Sequence, residues 1–177
     1  MAMAMIVSFE GFPRTLERSA LRPGRWFVAA DGLRPIICFV TAIAEGDDTL
    51  ALTFSAPRVE QIDFAHAPLR GLSGPFATVE DEIVFAPGLG ERTMLAAPTR
   101  RAFPNGSLLR LRNGDLGIGF ALKGGQAAIV SFATGERSEA YDLVFERWTL
   151  SVRRGGAESL IGAYRPLAGY ADERRRG

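Results

Sequence analysis

Four residue types are almost missing from this sequence: it holds one cysteine, one histidine, one lysine and two asparagines. A lone cysteine, Cys38, excludes an intrachain disulfide and a thiolate metal cluster. Flanked by Ile37 and Phe39 in "PIICFV", it reads as a small buried hydrophobe. A lone histidine, His66, excludes a multi-histidine zinc site within one chain, and any serine–histidine or cysteine–histidine arrangement must use it. Lys123 is the only lysine, so the basic side chains are almost all arginine, the planar, permanently charged fork that suits carboxylate and phosphate. Asn105 and Asn113 each precede a glycine, the pairing that type I′ hairpin turns prefer.

Long apolar runs are lacking as well. No stretch approaches the ~18 apolar residues of a membrane span, so no membrane partner is expected. The N-terminal "MAMAMIVSFEGF" is short, has no basic leading region and meets Glu10 at once, unlike a secretory signal. A cytoplasmic, soluble protein is the expectation. With a net charge of +1, no global field calls for nucleic acid, and no nucleic-acid module signature appears. Hydrophobic residues at 47% against 23% charged are an ordinary globular balance, which argues against wholesale disorder.

What is abundant is turn chemistry between short apolar runs. From Arg25 to Arg153 such runs alternate with Asp31-Gly32, Gly46-Asp47, Pro87-Gly88, Asn105-Gly106, Asn113-Gly114 and Gly124-Gly125, the punctuation of an all-β protein. The expected fold class is mainly β, a small antiparallel barrel or sandwich with one short N-terminal helix. That helix is read from "FPRTLERSALRPG", where Leu16, Ala20 and Leu21 share a face and Pro23-Gly24 stops the run. Both parities of "PIICFVTAI" are apolar, which predicts a strand covered on both faces. In "YDLVFERWTLSV" the apolar parity flips across Glu146-Arg147, as at a bulge or where the chain serves two sheets. One domain is expected over 1–154, with a weakly structured tail over 155–177. In that tail "SLIGAYRPLAGY" is a candidate to dock on the barrel itself, and Leu160, Ile161, Tyr164 and Tyr170 are candidates to dock on a neighbouring subunit, which would make a homo-oligomer. Similar strand–turn–strand patterns at about 25–55 and 107–135 suggest two related half-barrels sharing a core.

The glycine-rich "RLRNGDLGIGFALKGGQA" raises the question of a phosphate loop. A dinucleotide fingerprint needs a helix opening directly after its glycines, and only "FALK" separates Gly119 from the next pair. A Walker loop needs Gly-Lys-Ser/Thr, whereas Lys123 precedes its glycines. The stretch reads as a β-meander. With a two-residue turn at Asn113-Gly114, Arg110 would pair with Gly117 and Leu109 with Ile118. Leu109, Leu111, Leu116, Ile118 and Phe120 would then share one face. A three-residue loop over Lys123-Gly124-Gly125 would set Ile118 against Val130 and Leu116 against Phe132.

Catalysis has little to work with. No G-x-S-x-G elbow surrounds a serine, and His66 shares strand parity with Ile62 and Phe64, which reads as packing. An enzyme using His66 with a carboxylate such as Asp63 is the rival reading. Glu80-Asp81-Glu82 reads as a solvated, edge-protecting face. No catalytic residue, metal or cofactor is assigned.

The arginines carry the favoured function, a non-catalytic binding or adaptor module for an acidic ligand or protein partner. Arg110 and Arg112 lie on the polar face of the hairpin, Gly117 and Gly119 form a floor that a ligand could approach, and Arg100 and Arg101 enter the same region. Arg112 is also a cross-strand candidate for Asp115. A second group, Arg14, Arg18 and Arg22, recurs at four-residue spacing. R-x-x-x-R ahead of a β-barrel resembles the PilZ family, whose members bind cyclic di-GMP through such arginines and a later D/N-x-S-x-x-G. The resemblance implies a cyclic-dinucleotide or other phosphorylated-ligand effector. It stops at residues 14–22, because Asp31-Gly32-Leu33 and Asp115-Leu116-Gly117 both lack the serine of the second motif.

Overall fold

The computed structural model describes residues 15–31, 34–58, 60–88, 94–95 and 103–166. Its strands are β1 (Thr15–Leu16), β2 (Trp26–Asp31), β3 (Arg34–Glu45), β4 (Asp48–Arg58), β5 (Glu60–Pro68), β6 (Phe76–Thr78) and β7 (Glu82–Pro87). They continue with β8 (Met94–Leu95), β9 (Ser107–Leu111), β10 (Leu116–Ala121), β11 (Ala127–Ser131), β12 (Tyr141–Phe145), β13 (Trp148–Arg154) and β14 (Ala157–Tyr164). A nine-stranded sheet runs β1-β6-β2-β3-β4-β5-β14-β13-β7, and a five-stranded sheet runs β11-β10-β9-β12-β8. The expected mainly-β class holds.

The larger sheet curls. Trp26 of β2 and Phe85 of β7 stand 5.8 Å apart between ring centroids, although five strands separate β2 from β7 in the sheet order. Residues 79–81 run straight from β6, which pairs with β2, to β7, which pairs with β13, and so tie the two sides of the curl together. The smaller sheet packs against this half-barrel. Phe39, Leu52, Phe54, Trp148 and Leu150 from one sheet meet Leu108, Ile118, Phe120 and Val130 from the other in the main core. Each such fully buried side chain contributes about 1.5–3 kcal/mol relative to exposure.

Several local readings hold. Along β3, Ile37, Phe39 and Ile43 enter the main core while Cys38 and Val40 enter a second cluster behind the sheet, so the strand is covered on both faces. Burial pushes the Cys38 thiol up to about 12, as suits an inert hydrophobe. The parity flip at Glu146-Arg147 is where the chain leaves β12 in the small sheet and enters β13 in the large one. The two strand–turn–strand patterns fall one in each sheet, β2–β4 against β9–β11.

Two expectations are corrected. Among the described residues there is no α-helix where one was expected: Thr15–Leu16 pairs with β6, and Arg18–Ala20 makes a single 3-10 turn. The Arg18 guanidinium donates to the carbonyls of Leu69 (3.2 Å), Arg70 (2.5 Å) and Leu72 (2.8 Å), and lies 5.4 Å over the Phe76 ring. These distant partners outweigh a first helical turn, which costs several fixed dihedrals for one hydrogen bond. The tail expected to be weakly structured from residue 155 instead opens with β14, antiparallel to β13 and parallel to β5 at Gly162–Ala163. Tyr164 docks on the protein's own barrel and not on a neighbouring subunit: it is 8% exposed, stacks on Trp148 at 4.9 Å, and its hydroxyl donates to the Asn105 carbonyl. Tyr170 lies outside the described residues.

Candidate functional site

The two hairpins of the small sheet share one turn geometry. In the first, Leu111 N–H donates to Asp115 O and Gly114 N–H to Leu111 O; in the second, Leu122 N–H donates to Gln126 O and Gly125 N–H to Leu122 O. Both are three-residue loops ending on a glycine with positive φ, +90° at Gly114 and +80° at Gly125, where a side chain would be strained. The second hairpin therefore has the expected register, with Ile118 opposite Val130. The first is one residue off: Arg110 faces Leu116, and Leu109 faces Gly117.

That single step redistributes the faces, because side chains alternate along a strand. Ile118 and Phe120 point with Leu108 into the main core, while Leu109 and Leu111 join Ile129 and Val144 in a cluster behind the sheet. The sheet tolerates the shift because both of its faces are buried. Gly117 and Gly119 thus lie on the opposite face from Arg110, and they are not an open floor. The Phe103 ring packs onto Gly119 so closely that a Cβ there would overlap it, and Gly117 backs onto Val130 O and the Leu111 side chain.

Arg110 and Arg112 nevertheless converge. Arg110 Nη2 lies 3.8 Å and Arg112 Nε 3.9 Å from the two carboxylate oxygens of Asp142, with the arginine side chains 49% and 67% exposed. Asp142 occupies the irregularity between Tyr141 and Leu143 where β12 pairs with β9. Asp115 is not the partner of Arg112: its carboxylate accepts from the Asn113 amide at 2.7 Å. Asp142 went unread in the sequence, since only the β9–β12 pairing, thirty or more residues apart in the chain, brings it to the arginines. Arg14, Arg100 and Arg101 lie outside the described residues. Arg18 is engaged with three carbonyls, and Arg22 is exposed.

His66 packs edge-on against Phe120 at 5.2 Å, with Nε2 3.0 Å from the Ala121 carbonyl, which makes Nε2 the protonated nitrogen. Burial lowers its pKa from the usual histidine value, and Glu45 opposes that shift. Asp63 sits three places away on the same continuous strand ladder, hence on the other face, so the pair considered for catalysis is not assembled. Among the described residues no cluster of histidine, cysteine and carboxylates could hold a metal ion, and no helix is long and apolar enough to cross a membrane.

Glu80-Asp81-Glu82 does more than face solvent. Asp81, with only 12% of its side chain exposed, accepts from Arg154 Nε at 2.6 Å and Nη2 at 3.0 Å. Arg153 donates to Glu82 and to Glu158, each at 3.1 Å. The hydrogen bond from Arg153, then one from Ser151, holds the Glu158 carboxyl below its usual range. No protein-family model, curated protein or solved structure matches this chain.

Proposed function

We propose that this protein is a non-catalytic binding module that takes an acidic group of a ligand or partner between Arg110 and Arg112. The supporting observation is a charge imbalance: among the described residues, two exposed guanidinium groups lean on one carboxylate, Asp142, at 3.8 and 3.9 Å, beyond hydrogen-bond reach. An exposed ion pair so loosely made is worth ~0–1 kcal/mol, so an incoming carboxylate or phosphate loses little by competing with it. Arginine's fork can then bind two oxygens at once.

The test is thermal unfolding against dicarboxylates, sugar phosphates, mononucleotides and cyclic di-GMP, at low and moderate salt. Expected is a salt-sensitive rise in Tm with at least one anion, lost in the Arg110→Ala/Arg112→Ala double variant. Removing the competing carboxylate in Asp142→Asn should enlarge it. A rise that survives the double variant would move the site elsewhere, and one lost only in Arg22→Ala would support the N-terminal arginines.

A further inference from the structure

The curled sheet is not filled to its end. A cavity of about 290 Å³ opens beside the 79–81 link, walled by Val28, Ile37, Ile83, Val152 and Ile161 from five strands. These walls continue the main core, since Ile37 belongs to it and Ile83, Val152 and Ile161 pack against it. The rim of the cavity is β14, where Ala157 and Ser159 are exposed, so the space is reached from solvent.

We propose that this cavity binds a small, uncharged, apolar molecule. Size comes first. A dry engineered cavity of ~150 Å³ lined by leucine, isoleucine and phenylalanine takes up benzene; this one, at about 290 Å³, is about twice as large and suits a two-ring aromatic or a short alkyl chain. Charge comes second. The ionised groups in the lining, Asp81 and Arg154, are bonded to each other through two hydrogen bonds, so a charged ligand would meet a neutral pair and no spare counter-ion. A cation would have to take Asp81 from Arg154, and an anion would have to take Arg154 from Asp81. An uncharged molecule disturbs neither and exchanges water contact for aliphatic contact. The site uses none of the hairpin arginines and is independent of the function proposed for them.

Methyl-resolved NMR titration of the full chain with naphthalene, and in parallel with naphthalene-2-sulfonate, tests this. Naphthalene should shift the methyl signals of Val28, Ile37, Ile83, Val152 and Ile161 together, and saturably. The sulfonate should bind at least tenfold more weakly. Val152→Phe, which fills the cavity, should abolish the naphthalene shifts; Ser159→Leu at the rim, which leaves the core intact, should weaken binding if the first variant does not fold. The proposal is overturned if naphthalene leaves these methyls unmoved up to its solubility limit. It is also overturned if the sulfonate binds as well, or if the folded variants bind as the parent does. Methyl contacts in the free protein from residues outside those described, 89–93 and 96–102 included, would overturn it too, because the chain itself would then be the occupant.

Discussion

Arg153 and Arg154 are neighbours on β13, whereas Arg110 and Arg112 stand two apart where β9 enters its turn. Adjacent residues of a strand face opposite sides, so Arg153 and Arg154 draw on different carboxylates: Glu82 and Glu158 for one, Asp81 for the other. Arg112 lies in the turn just past the end of β9, and it divides a single Asp142 with Arg110. One pair of cations is matched by three carboxylates beside the open end of the curled sheet. The other is under-supplied with negative charge and open to solvent. Spacing sets how many carboxylates an arginine pair needs, and the packing of distant strands sets how many it receives.

The contrast can be broken or sharpened by measurement. The largest effect should come from the hairpin's far face. Gly119→Ala should destabilise the protein by about 1–3 kcal/mol, because the new methyl forces the Phe103 ring out of place. A neutral result in urea unfolding would mean that the glycine face is open after all. Next is a double-mutant cycle on Asp81 and Arg154, which should return a coupling of ~1 kcal/mol, against less than ~0.3 kcal/mol for Arg110 with Asp142. Equal couplings would erase the distinction between the two pairs.

The smallest effect concerns pH. It is carried by His66, which packs between the two sheets against Phe120. Its folded-state pKa is lowered, so the unfolded chain takes up the proton first. The stability it contributes is present above the usual histidine pKa of ~6.5 and is lost as pH falls through that value toward the lower folded one. Tm should therefore fall between about pH 7.5 and about pH 5.5, and His66→Gln should fall less. An identical fall in both proteins would assign the pH dependence to the carboxylates.

Local chemistry was legible wherever it acted within a few residues. The Gly46-Asp47 turn, the Lys123-Gly124-Gly125 loop, the doubly covered β3 and the change of sheet at Glu146-Arg147 all follow from turn residues and apolar parity. Asn113-Gly114 marked a hairpin correctly, but its expected two-residue turn is a three-residue loop, and one residue of loop length exchanges every face. Only the buried clusters on both sides of the small sheet decided that point, by accepting Leu109 and Leu111 behind it and Leu108 in front.

The rest depended on partners far away in the chain. Arg18 belongs to an α-helix by pattern and to a single 3-10 turn in fact, because carbonyls some fifty residues on receive its guanidinium. Asp81 belongs to an acidic run by sequence and to Arg154 by tertiary contact. Composition and turn chemistry by themselves determined that this chain would be a mainly-β protein and where it would turn. Packing alone decided register, the pairing of its charges and the unfilled end of the curled sheet, because each is a long-range contact whose energy appears only once separate strands have met.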